Sequence, residues 1–212
     1  MSYMLGFQVS QLGCIRGQTS LYNDIYFHLS PGDLLLVEGP NGSGKTTLLR
    51  QCASLSFPDT GSIRWQGKEI SDDSLYYRKD VHYVGHGHGI KLALTVGENA
   101  ALMCELSGCF LATELQKSID AVLQLLDLYQ HKHDFVFALS AGQKRRLSLA
   151  RLWLIKKPLW ILDEPLTSLD EASRELFLGY LKHHLSEQGV CILSSHQPVS
   201  LAWPKVHTLK LS

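Results

Sequence analysis

The sequence predicts an α/β fold on a mostly parallel sheet, with an antiparallel β subdomain near the N-terminus and a helical subdomain in the middle. Two observations carry this. Leu34-Leu35-Leu36-Val37, Leu159-Trp160-Ile161-Leu162 and Val190-Cys191-Ile192-Leu193-Ser194 are short, unbroken apolar runs of the kind buried on both faces of a parallel sheet. They alternate with stretches of helical periodicity, the pattern that builds such sheets. Between residues 92 and 150 the signal is helical, which places a helical subdomain at roughly 90–155 inside a single domain spanning 1–212. There is no internal repeat, low-complexity tract or linker.

Taken in order, residues 5–37 alternate and turn like short strands. Pro31-Gly32-Asp33 then leads into the first buried strand, which runs straight into a glycine-rich loop. A helix is expected over 46–54, and Pro58-Asp59-Thr60-Gly61 turns the chain into an antiparallel strand at 62–67. Thr95-x-x-Glu98 is a capping box opening a helix over 96–106. Leu115, Ile119, Val122 and Leu126 repeat at helical spacing, giving an amphipathic helix. Ser140-x-x-Gln143 is a second capping box, opening a helix to about Lys156. After the strand at 159–162, a helix runs over 171–188 with Leu176, Phe177, Tyr180, Leu181 and Leu185 inward and Gly189 as its stop. Strands follow at 190–194 and 206–211.

Bulk composition excludes several classes. Apolar residues make up 45% and charged residues 19% of 212 positions, an ordinary globular balance. Basic and acidic residues number 20 each, and the basic ones are scattered, so no face is built for duplex DNA or RNA. No apolar run approaches the roughly 18 residues of a membrane helix, so any membrane role comes through a partner. The N-terminus has no charged n-region and does not read as a signal peptide. The 5 cysteines form no Cys-x-x-Cys pair and read as reduced, buried thiols of a cytosolic protein. His82, His86 and His88 lack helical spacing and a nearby thiolate, which disfavours a zinc site.

Gly39-Pro40-Asn41-Gly42-Ser43-Gly44-Lys45-Thr46 matches G-x-x-x-x-G-K-[ST] in full, between a strand and a helix. Its glycines let backbone N–H groups turn onto phosphates, and the helix after it points its positive end at the same charge. Lys45 is placed for the β- and γ-phosphates, Thr46 for Mg²⁺, and Thr47 lies beside them in the first turn. Asp163, ending an apolar strand, is a candidate to hold Mg²⁺ through water, and Glu164 is the candidate general base for an attacking water. His196 ends the next buried strand and so falls near the γ-phosphate. Ser140, Gly142 and Gln143 open a helix whose N-terminus can receive an anion. Since the loop at 42–46 already serves this chain's own nucleotide, that second anion site is best explained as serving another molecule's γ-phosphate; a capping box alone also explains Ser140 and Gln143. Asp170 is a candidate nucleotide contact or simply the N-cap of its helix.

The order of these motifs (the phosphate loop, Leu139-Ser140-Ala141-Gly142-Gln143, Leu162-Asp163-Glu164, Ser168-Leu169-Asp170, His196) resembles the nucleotide-binding subunit of ABC transporters over essentially the whole chain. Segments 85–91, 139–146, 150–154 and 159–165 are similar to the CcmA family, ATPases of bacterial cytochrome c maturation. The resemblance implies a P-loop NTPase core of the ABC ATPase type and a homodimer closing around ATP and Mg²⁺. It also implies CcmB- and CcmC-like membrane subunits, and a peripheral place on the cytoplasmic face of the bacterial inner membrane. It further implies that ATP hydrolysis drives release of a haem-loaded chaperone. Two positions depart from the family pattern. His86 stands where ABC ATPases generally carry a Gln that touches Mg²⁺ or the attacking water. No adenine-stacking aromatic lies near 14–17, where Arg16 offers a cation–π surface instead. The alternatives are the ATPase of a different ABC transporter and, more remotely, a soluble ABC protein acting on RNA or DNA.

Overall fold

The computed structural model describes residues 6–87, 89–108, 112–196, 199 and 201–212, with side chains from residue 115 onward in the helix that starts at 112. His88, Cys109 and Gln197 lie outside the described residues. The chain forms two compact units. Met1–Tyr83, Lys157–Glu164 and Leu178–Ser212 make the first, and Val84–Lys156 with Pro165–Phe177 the second.

The first unit contains an antiparallel sheet built from β1 (Phe7–Arg16), β2 (Thr19–Leu29), β4 (Thr60–Trp65) and β5 (Lys68–Glu69), in the order β2-β1-β4-β5. Residues 7–29 form two long strands where the sequence suggests short ones. The reason is local: register shifts interrupt the β1–β2 pairing, and Gln11 and Asp24 take left-handed backbone angles (φ 53° and 56°). These irregularities break the alternation that marks a continuous strand, while the ladder carries on through them.

The second sheet has the order β6-β7-β8-β3-β9, from β3 (Leu34–Glu38), β6 (Val81–Val84), β7 (Leu159–Asp163), β8 (Val190–Ser194) and β9 (Val206–Lys210). β8 pairs in parallel with both β3 and β7, and β9 pairs in parallel with β3. Alternate residues explain the unbroken apolar runs. Leu35, Val37, Leu159, Ile161, Val190 and Ile192 join a core with Leu48 and Leu49 of α1 (Lys45–Cys52) and with Phe7, Ile63 and Trp65 of the antiparallel sheet. Burying each such side chain contributes about 1.5–3 kcal/mol, so this layer fixes the strand ends that carry the motifs. Trp160 instead stacks on His184 at 3.9 Å and 7°. Burial pulls the His184 imidazole down to about 4. His184 belongs to α6 (Glu171–Ser186), which ends sooner than expected; Gln188 (φ 65°), not Gly189, takes the left-handed position after it. Neither α2 (Ser74–Lys79) nor β6 was foreseen, each being too short for a periodic signal.

The second unit packs α3 (Val96–Leu106), α4 (Ala112–Leu125) and α5 (Ala141–Leu154) around Val96, Ala100, Ile119, Leu123, Leu126, Leu147 and Ala150. Both expected capping boxes are present, Thr95 with Glu98 and Ser140 with Gln143. Cys14, Cys52, Cys104 and Cys191 are buried thiols. Among the described residues, no helix is long and apolar enough to cross a membrane.

Candidate functional site

In the first unit the glycine loop joins β3 to α1. Gly42 has φ 87° and is exposed, and apart from its chain neighbours nothing lies within 4 Å of where a Cβ would stand, so the loop is open there. The Lys45 side chain is turned along the loop, its ammonium donating to the carbonyls of Gly39 (2.7 Å) and Pro40 (3.1 Å). The Ser43 hydroxyl is buried with no hydrogen-bond partner. A cradle with room, an ammonium, a helix N-terminus and an orphan hydroxyl fits a polyphosphate.

The parallel register sets Asp163 opposite Ser194, and the motif residues bond across it. Thr46 Oγ1 donates to Asp163 Oδ2 at 2.8 Å, and Ser194 Oγ donates to Asp163 Oδ1 at 2.6 Å. The Glu164 N–H donates to the same Ser194 hydroxyl at 3.0 Å. Glu164 itself has φ 52°, a left-handed angle that costs a side-chain-bearing residue about 1 kcal/mol or more and turns it out of the strand direction. Its Oε2 lies 2.8 Å from His196 Nδ1 and accepts the His196 N–H at 3.3 Å. Asp163 is buried, and the phenol of Tyr83 is held above its ordinary range by burial and then by the Asp163 charge. A carboxylate beside a threonine hydroxyl is the hard-oxygen pair that suits Mg²⁺. Arg16, at the end of β1, is exposed. The nearby aromatic, Tyr22, is buried and its hydroxyl is bonded to Gln51 Oε1 at 2.7 Å, so it offers no free face.

In the second unit the side chains of the Ser140–Gln143 turn are used locally. Gln143 N donates to Ser140 Oγ (3.2 Å), and Ser140 N donates to Gln143 Oε1 (2.8 Å). Gly142 lies against the 166–170 loop; a Cβ there would stand 2.9 Å from the Ser168 carbonyl oxygen. Asp170 Oδ1 accepts the Ser173 N–H at 2.8 Å, a bond that holds its carboxyl below the usual range, so within its own unit Asp170 is an N-cap. His86 is exposed in the loop after β6.

Two residues with structural leverage were not singled out from the sequence. Arg145 is buried, its Nε donating to the Pro165 carbonyl (3.1 Å) and its Nη1 to the Gly85 carbonyl (3.2 Å). It thus ties the residue after Glu164 and the residue before His86 to α5. Asn99, also buried, exchanges hydrogen bonds with both the N–H and the carbonyl of Lys91 and donates to the Thr95 carbonyl, which shapes the 91–95 turn before α3. A signal for Arg145 existed: it shares a helix face with the buried Leu149 and Leu152.

Comparison with known proteins gives a consistent picture. Residues 22–167 match the ABC transporter family. The cytochrome c biogenesis ATP-binding export protein CcmA of Nitrosomonas europaea is 44% identical over 95% of this chain and 93% of its own length. The protein of the same description from Dechloromonas aromatica is 39% identical over 96% and 98%. Among solved structures, an ATP-binding cassette in a dimeric post-hydrolysis state, bound to ADP and Pi, has a TM-score of 0.84 at 21% identity. That match covers 97% of this chain and 96% of that one, a likeness of fold.

Proposed function

The chain belongs to the ABC transporter family, and we propose that it is the ATP-hydrolysing subunit of a membrane complex for cytochrome c biogenesis, powering release of a haem-loaded chaperone. The observation that carries the catalytic part is the bonded series Thr46, Asp163, Ser194, Glu164, His196, which joins the first turn of α1 to the ends of two adjacent parallel strands. The biological assignment is supported by the CcmA-described relatives, which align over nearly the full chain.

In this reading the loop from Gly39 to Thr46 binds the ATP phosphates, with Lys45 exchanging its bonds to loop carbonyls for phosphate oxygens. Thr47 stands in the same helical turn. Thr46 and Asp163 hold Mg²⁺, which when bound would neutralise charge developing on the phosphate oxygens. Glu164 orients the attacking water and takes its proton, and His196, hydrogen-bonded to that carboxylate, fixes its direction. Arg16 lies under the adenine, and His86 substitutes for the glutamine common in the family. Ser140, Gly142, Gln143 and Asp170 serve the nucleotide of a second copy, so that a homodimer encloses ATP. Integral membrane subunits of the CcmB and CcmC kind hold the ATPase at the cytoplasmic face of the inner membrane. Direct contact with nucleic acid forms no part of this function.

Deletion of the gene is expected to abolish covalently haemylated c-type cytochromes. Wild-type protein should restore them and the Glu164→Gln variant should not. Unchanged cytochromes in the deletion strain would sink the biological assignment and leave the ATPase chemistry standing.

A further inference from the structure

We propose that His131 is a positioning residue for the Ser140–Gln143 turn, and that it does this only as the neutral imidazole. His131 lies in the short 3-10 turn Tyr129–His131, and its Nε2 sits 2.8 Å from Gln143 Nε2. Which Gln143 atom faces it follows from chemistry. The Ser140 N–H can only donate, so the amide group it meets at 2.8 Å is the carbonyl oxygen, and the amino group is the one turned to His131. On the other side of the ring, Nδ1 meets the Asp134 carboxylate at 2.8 Å, which accepts only, so Nδ1 carries the hydrogen. His131 Nε2 therefore presents a lone pair, and it accepts the Gln143 N–H.

The turn that carries His131 is anchored. The Lys132 and Asp134 carbonyls accept the N–H groups of Gly97 and Val96 at 2.9 and 3.1 Å, and Thr95 and Phe135 form a bridge. These are the orphan donors at the start of α3, so one turn fixes the N-termini of α3 and α5 together. Without the His131 contact, the Gln143 amide is free to rotate, and the Ser140 N–H loses its defined acceptor. A protonated imidazole has N–H at both nitrogens and faces the Gln143 amino group with a like donor. The fit therefore belongs to the ring that bears its hydrogen on Nδ1 alone.

The consequence for turnover rests on the reading that this turn serves a second copy's ATP; the local geometry does not. Two variants separate the cases. His131→Phe removes the acceptor, and His131→Gln supplies a carbonyl that accepts at every pH. By NMR on the full chain, wild-type His131 should show the Nδ1–H tautomer, with its Nε2 accepting the Gln143 side-chain N–H. In His131→Phe the Ser140 amide should exchange about fivefold faster, as for loss of one net hydrogen bond. kcat should fall by a similar factor with KM for ATP unchanged. His131→Gln should restore both. Unaltered Ser140 exchange in His131→Phe, or an Nε2–H tautomer in the wild type, would overturn the proposal. Faster Ser140 exchange with unchanged kcat would uphold the positioning role and count against the second-copy reading. In that case the ATP-bound Glu164→Gln variant should also remain monomeric.

Discussion

At the ends of β7 and β8 the motif side chains bond to one another across strands, whereas at the start of α5 they bond back onto their own helix. In the first region Asp163 gathers two hydroxyls, and Glu164 engages His196, so oxygens and a ring nitrogen converge in one place. In the second region Ser140, Gln143 and Asp170 all serve as caps, and Gly142 serves as clearance beneath Ser168. What is left to offer a ligand in the second region is the helix end itself, with its backbone donors and positive potential. A motif residue can therefore work as a reagent or as a form that holds backbone in shape. Substitution should separate the two kinds.

The largest expected effect is at Glu164. Glu164→Gln keeps the shape and the left-handed backbone but cannot take a proton, so phosphate release at saturating ATP should drop about 10³-fold. Nucleotide affinity should persist, and ATP should drive the variant to dimers by size-exclusion chromatography. Retained turnover would remove Glu164 from the first region's chemistry. Next in size is Gly142→Ala. The new Cβ would stand 2.9 Å from the Ser168 carbonyl oxygen, so that backbone must give by a few tenths of an ångström, and a shift of that size at a positioning element costs up to about tenfold in rate. Because the phosphate loop belongs to the other unit, ATP affinity measured by equilibrium titration should stay within a few-fold; a parallel loss of affinity would blur the contrast between the regions.

Ser194→Ala should act more weakly and chiefly on stability. It strips partners from a buried carboxylate oxygen and from the Glu164 N–H. A cost of about 1–3 kcal/mol is expected from denaturant midpoints, together with a modest fall in kcat. The smallest effect on turnover concerns acid. His184 has a folded-state value of about 4 against an ordinary 6.5, so the folded protein binds fewer protons than the unfolded chain between those values. Stability is then full above the ordinary value and declines as pH falls through the window, by about 1.4 kcal/mol per unit. Replacing His184 with Phe should flatten that slope in urea melts between pH 6.5 and 4.5. An unchanged slope would assign the acid sensitivity elsewhere.

How much was legible follows from the range of each interaction. The capping boxes are four-residue events written in Ser140 with Gln143 and Thr95 with Glu98, and the structure has both. Buried parallel strands declare themselves by unbroken apolar runs. By contrast, the left-handed turns at Gln11 and Asp24 disguised two long strands, since neither residue type demands that angle. The pairing of Gln143 with His131 spans 12 positions and of Arg145 with Gly85 spans 60. Nothing local announces such contacts. The sequence marked Lys144-Arg145-Arg146 as scattered charge, and the fold separates a buried brace, Arg145, from two more accessible neighbours.

The bonds from the Lys45 ammonium to Gly39 and Pro40 bear on how the phosphate loop can be interrogated. A lysine that fastens the loop's own backbone is a strut as well as a phosphate ligand. Lys45→Ala removes both at once, and a null result from it mixes an unbuttoned loop with a missing contact. The two contributions part company if backbone order of residues 39–44 is followed beside nucleotide affinity, since only the strut predicts that the loop loosens before any nucleotide is added.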